Sequence, residues 1–273
     1  MMRGMFAAIS GLKTHQVMLD VTSNDIANVN TIGYKSARTT FQDSLSQLQR
    51  GASGPGGGTG GSNAAQVGLG TRLGSIDNMM SGGSMQSTGN PFDVAIDGSG
   101  FFRVASGAPP AVPTAGFEYT RAGNFTTSSQ GYLTTQDGFF VMGRTAGGAD
   151  TLINIPDDAT NVSIGQTGEV SYVDNTGTRQ PAGFISLSTF ANSAGLERSG
   201  NNRWTESANS GAANHGVPSD QYGFTVAGNI EMSNVDLAQS FTSLITAQRG
   251  FQANSRVIST ADEMLQDLVN LKR

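Results

Sequence analysis

A chain of 273 residues, 37% hydrophobic and 14% charged, has room for one to three domains and lacks the high-charge, low-hydrophobicity signature of disorder. A net charge of −5 without a basic run argues against nucleic acid as a partner, because neutralising phosphates takes clustered Lys and Arg. With no Cys and no run of about 18 apolar residues, the composition excludes disulfides and thiolate chemistry and offers no membrane-spanning helix.

The first element is helical. Met5, Leu12, Leu19 and Ile26 recur every seventh residue, the mark of a seam that packs on another helix. The spacing predicts a helix over residues 2–28, with a second row of Met2, Ile9, Gln16 and Ser23 that turns polar toward its end. The stretch up to Leu12 is short and broken by Ser10 and Gly11, so it reads as the first turns of this helix rather than a secretory signal. Asn28-Val29-Asn30-Thr31-Ile32-Gly33 is rich in cap and turn formers and should end it. Residues 34–49 read two ways: Phe41, Leu45 and Leu48 sit at helical spacing, yet Thr39-Thr40-Phe41 suits an extended chain. The Gly-rich run over residues 51–61 reads as a flexible connection or exposed loop, and no Gly-Lys-Ser/Thr follows it to make a phosphate cradle.

From about residue 67 to 232 short strands alternate with turns, as in a compact antiparallel β domain. Residues 92–97 and 101–104 flank Gly98-Ser99-Gly100 and read as a hairpin. Gln130-Gly131 and Asp137-Gly138 mark further turns, and residues 184–190 and 224–232 read as strands. Ser233-Asn234 offers an N-cap for a C-terminal helix reaching about Leu271. Its first row is Leu237, Leu244, Phe251, Ile258 and Leu265, and its second is Phe241, Gln248, Ser255, Asp262 and Val269. Lys272-Arg273 sit where positive charge suits a helix end.

The fold class expected is α+β in four parts. Residues 1–33 are the N-terminal helix, 34–75 a connecting segment, 76–232 the β domain and 233–273 the C-terminal helix. The terminal helices form a coiled-coil-like inner domain, and self-assembly falls to Met5, Ile9, Leu12, Leu19, Ile26, Leu237, Phe241, Leu244, Phe251, Ile258, Leu265 and Leu268. These seams are too thin to offset the entropy of ordering both helices, so the helices should order when neighbouring copies pack around them. A two-helix hairpin within one chain, capping the β domain, is the other reading of the same rows.

Nothing points to catalysis. His15 and His215 lack neighbours at metal-ligand spacing and read as surface residues. No Gly-x-Ser-x-Gly elbow is present. Asp157-Asp158 and the Asp-Gly pairs at 97–98 and 137–138 lack the ligand series of a Ca²⁺ loop and serve as turns, while Trp204 reads as a packing residue. No enzyme activity, cofactor or metal is expected.

Three blocks carry a resemblance. Leu19-Asp20-Val21-Thr22-Ser23-Asn24-Asp25-Ile26-Ala27-Asn28-Val29-Asn30-Thr31-Ile32-Gly33-Tyr34-Lys35 resembles the N-terminal signature of the bacterial flagellar rod and hook proteins, with Asp25 where the family usually has a second Asn. The stretch from Asn90 to Phe102, followed by Tyr119-Thr120-Arg121-Ala122-Gly123-Asn124-Phe125, is similar to the family's central block, and Ala247 to Ser255 to its C-terminal block. The motif positions are Asn24, Asn28, Asn30, Gly33, Tyr34, Lys35, Gln248, Arg249 and Asn254. Residues 67–77 and the C-terminal ending look most like a short hook protein; the distal rod protein, a straight drive shaft that shares every block, is the alternative.

The resemblance implies a subunit exported unfolded, without a cleaved signal, by the flagellar type III apparatus and located in the hook and basal body. It implies a curved, flexible homopolymeric tube that joins rod to filament, passes torque and surrounds an export channel. The implied partners are further copies of the chain, the rod protein, the hook cap and the hook–filament junction proteins. The Gly-rich segment would then supply adaptable outer surface. A secreted binding module, such as an adhesin stalk, is the competing class.

Overall fold

The computed structural model describes residues 2–54, 60–156 and 158–271, except for the Leu268 side chain. The middle of the Gly-rich run, Asp157, the Leu268 side chain and Lys272-Arg273, all named above, therefore lie outside the described residues. The chain forms two compact units: residues 1–27, 37–77 and 236–273 make one, and residues 28–36 and 78–235 the other.

The first unit is built on helices α1 (Met2–Ala27) and α2 (Leu237–Asn270). Gly11 faces Asn254 while Gly250 faces His15, so the helices run antiparallel. Asp236 caps α2 by accepting the N–H groups of Ala238 at 2.8 Å and Gln239 at 3.2 Å. The cap expected at Ser233-Asn234 is thus two residues late, because the Asn234 amide is committed elsewhere. It accepts the Ser36 N–H at 2.8 Å and donates to Met79 O at 2.8 Å and Ser81 O at 3.1 Å.

The ambiguity over residues 34–49 resolves as extended chain. Ala37–Asp43 pairs with Thr71–Asn78, and Ser46–Arg50 runs antiparallel to Ala65–Gly68. Thr40 and Ser75 hydroxyls bridge the first pair at 2.7 Å. Gly74 leaves room for Thr40, whose Oγ1 would stand 2.9 Å from a Cβ there.

The second unit is an antiparallel β body. Its main sheet runs in the order Thr160–Ile164, Glu169–Val173, Arg179–Ile185, Phe140–Arg144, Phe101–Ala105, Phe117–Thr120, Arg203–Thr205, Glu197–Gly200. Turns at Gly131 and Gly138, both with φ near +80°, join Thr126–Thr127 to Leu133–Thr134 and that strand to Phe140–Arg144. The core is Val94, Phe102, Val104, Phe125, Ile153 and Ile185, all buried, with the Phe102 and Phe125 rings edge-on at 4.9 Å.

The expected hairpin around Gly98-Ser99-Gly100 does not form. Val94–Asp97 pairs with Phe224–Ala227, whereas Phe101–Ala105 enters the main sheet. Gly98, at φ +136°, carries the chain from one sheet to the other, and a Cβ there would stand 2.6 Å from the Gly223 Cα. The returning strand is broken in two at Gly228, giving Phe224–Ala227 and Asn229–Glu231, the latter paired with Met85–Ser87.

Candidate functional site

Two constructions stand out, one in each unit. In the helix pair, Met5, Leu12, Leu19 and Ile26 of α1 and Leu244, Ile258 and Leu265 of α2 are partly buried, whereas Leu237 and Phe251 are exposed. The second rows differ from the expectation. A heptad row can be completed three or four residues further on. Apolarity favours four, through Ile9 and Phe241, yet both are exposed, as are Gln16, Ser23, Gln248, Ser255 and Asp262. The packing instead takes three: Ala8, His15 and Thr22 on α1, and Ser240, Ala247, Asn254 and Ala261 on α2.

The reason is close approach of the two backbones. A Cβ on Gly11 would stand 2.7 Å from Asn254 Nδ2, and one on Gly250 would stand 2.5 Å from the His15 ring. Two large residues thus sit over two glycines, and small side chains fill the rest. His15 is therefore a packing residue rather than a surface one, with its ring edge-on to Phe41 at 5.7 Å. Asn254 bonds back to Gly250 O at 3.0 Å. The large apolar side chains passed over by this seam, including Met2, Phe6, Ile9, Phe241 and Ile245, remain exposed, alongside Gln248 and Arg249.

The second construction holds residues 28–36 in the β body. Gly33, at φ +68°, donates its N–H to Glu231 O at 2.8 Å, and a Cβ there would stand 2.6 Å from the Ala122 nitrogen. Both backbone angle and space demand glycine. Lys35 then enters fully buried, its Nζ 2.6 Å from Glu231 Oε1 and 2.8 Å from Ser81 O. Arg121 approaches the other carboxylate oxygen at 3.1 Å and bonds Gly98 O at 2.8 Å. Gly83 N–H also donates to Glu231 Oε1, at 2.9 Å.

Electrostatics follow from burial. Loss of solvent pushes Lys35 and Arg121 down from their ordinary values, against the pull of Glu231. Burial would raise Glu231, but the charges of Arg121 and Lys35, with hydrogen bonds from Lys35 and Gly83, outweigh it and hold the carboxyl below its ordinary 4.5. Both carboxylate oxygens are occupied by cations away from water, so the arrangement holds chain segments together.

The rest of the segment is pinned as firmly. Arg198 donates to Lys35 O at 2.6 Å, and its guanidinium lies about 5 Å from the ring centres of both Tyr34 and Trp204. Asn202 Nδ2 bonds Ile32 O at 2.9 Å, and Thr31 Oγ1 bonds Asn28 Oδ1 at 3.0 Å. Asn24 and Asn30 are exposed. A polar cleft of about 230 Å³ is lined by Ile32, Thr120, Asn124, Gln136, Asn202 and Arg203, among others.

Sequence reasoning named Gly33, Tyr34 and Lys35 but not the Glu231, Arg198 and Asn202 that receive them. One signal was readable: Glu231 is the sole charge in an otherwise uncharged strand-forming stretch from Phe224 to Met232.

Comparison with known proteins agrees with the three blocks. Residues 5–35 match the family described as flagella basal body rod protein, 95–172 the flagellar hook protein FlgE/F/G D1 domain, and 226–271 the flagellar basal body rod FlgEFG protein C-terminal region. The chain is similar to the flagellar basal-body rod protein FlgG of Bacillus subtilis, with 48% identity covering all of both chains. The rod protein of the same name from Caulobacter vibrioides is 38% identical over 99% of this chain and 100% of its own. The flagellar hook protein FlgE of Borreliella burgdorferi is 27% identical, and aligning it takes 448 positions. The expectation of a hook subunit is therefore corrected: full-length identity of 38–48% is to proteins named for the rod.

Proposed function

The chain belongs to the family of bacterial flagellar rod and hook proteins, and from that premise we propose that it is a structural subunit of the distal rod, a straight drive shaft. The full-length identity to basal-body rod proteins carries this reading. The helix pair supports it physically. Two antiparallel helices that bury small side chains against each other and leave Met2, Phe6, Phe241 and Ile245 in solvent lack a cover. Further copies of the same chain supply that cover, in a head-to-tail contact that repeats without closing. The exposed members of the expected assembly set, Ile9, Leu237, Phe241 and Phe251, are assigned to contacts between copies, and the half-buried members to the pair within one copy.

Export through the flagellar type III apparatus, and contact with other rod subunits, belong to the same proposal. The contacts expected with a hook cap and with hook–filament junction proteins fall with the hook assignment. A clamp of fully buried charges and a helix pair suit a load-bearing part, and no catalytic role is assigned.

Epitope tagging of the chain, followed by electron microscopy of isolated hook–basal bodies, tests the reading. Label along the straight shaft within the basal body is expected. Label along the curved segment outside it, or wild-type motility after deletion of the gene, would overturn it.

A further inference from the structure

The outer face of α2 carries an ordered set of charges that the subunit itself does not use. Arg249, Arg256 and Glu263 follow one another at seven-residue intervals, and Asp267 lies one turn beyond. Arg249, Arg256 and Glu263 each stand two residues after a member of the seam that packs on α1: Ala247, Asn254 and Ala261. Two residues turn a helix by about 200°, so this stripe faces directly away from α1. All four side chains are exposed, and none forms an ion pair among the described residues. The gap from Arg256 to Glu263 is about 10 Å along the axis, beyond ion-pair reach. The stripe is therefore basic in one half and acidic in the other, with no way to neutralise itself.

We propose that this stripe sets the axial stagger between neighbouring copies of the chain, the acidic half of one copy lying against the basic half of the next. The inference rests on the polymer reading above. Where the repeated operation keeps α2 parallel from copy to copy and sets one stripe against the next, two identical stripes without a shift would oppose like charges. A shift equal to the distance between the centres of the two halves, about 19 Å at the rise of an α-helix, replaces the two like-charge contacts with one contact between the acidic half of one copy and the basic half of the next. Val257 and Met264 each follow a member of the stripe by one residue, lie along one side of it and are exposed, so the same contact buries apolar surface and dries the ion pairs. Apolar contact supplies adhesion, and the charges choose among the registers that adhesion alone would permit.

The test uses the full-length chain, with sedimentation and electron microscopy over a range of concentrations. Arg249→Glu/Arg256→Glu makes the stripe acidic throughout, and Glu263→Arg/Asp267→Arg makes it basic throughout. Circular dichroism checks that each variant keeps the wild-type helix content, as exposed positions allow. Each variant alone should raise the critical concentration for assembly by roughly tenfold or more. An equimolar mixture should recover wild-type assembly, because alternating copies then meet with opposite charges at every contact. Assembly of either variant alone at the wild-type concentration, or failure of the mixture where the wild type assembles, overturns the register and leaves the polymer reading standing. A wild-type chain that stays monomeric at every concentration overturns both.

Discussion

The β body buries Phe101, Phe102 and Phe125 to 1% exposure or less, whereas the helix pair leaves Phe6 62%, Phe241 51% and Phe251 38% exposed. The same residue type is spent differently in the two units. The β body completes its own core and even encloses charges, which demands that every partner be in place. The helix pair joins its helices through glycine, alanine and asparagine, a seam that positions the backbones but removes little apolar surface from water. A unit of the first kind is finished when the chain folds; a unit of the second kind is finished by what packs on it.

That contrast can be broken at the clamp. Glu231→Ala leaves Lys35 and Arg121 buried without a counter-charge, and the β body should lose about 3–5 kcal/mol in urea unfolding. An unchanged midpoint would show the charges to be solvated. The pH dependence sharpens the same point. Glu231 titrates below its ordinary 4.5 in the folded state, so its contribution is complete above that pH and is lost as pH falls through the depressed value. The stability gap between wild type and Glu231→Gln should stay constant above pH 4.5 and close below it.

At the helix pair the effects are smaller on folding and larger on assembly. Gly250→Val drives a side chain into the His15 ring and should cost about 1–3 kcal/mol in the helical transition followed by circular dichroism. Phe241→Ser removes an exposed ring. It should change the stability of the free chain by no more than about 0.5 kcal/mol while abolishing sedimentable polymer. Loss of folding instead of assembly would mean that the ring belongs to the subunit's own core.

The sequence carried the helices plainly because their period is short and repeated. It misled over the second seam row because three-residue and four-residue spacings both satisfy a heptad. Size, not apolarity, decided between them, and Ile9 and Phe241 were too large for backbones as close as Gly11 and Gly250 allow. The turns at Gly131 and Gly138 were legible because their strands pair locally. The partner of Val94–Asp97 is more than a hundred residues away, so Gly98-Ser99-Gly100 passed for a hairpin. The clamp was hidden for the same reason: Lys35 and Glu231 stand 196 positions apart in the chain. Rod and hook proteins share the blocks from which the chain was read, and only identity over the full length separated them.

Asn234 has a mechanical consequence. The chain passes between its two units at residues 27–28, 36–37, 77–78 and 235–236. One amide, next to the last of these crossings, bonds Ser36 beside the second and Met79 and Ser81 just past the third. Three of the four connecting segments are thus tied into a single bundle on the β-body side. Displacing the segment that carries Asn234 therefore breaks its bonds to both of the others.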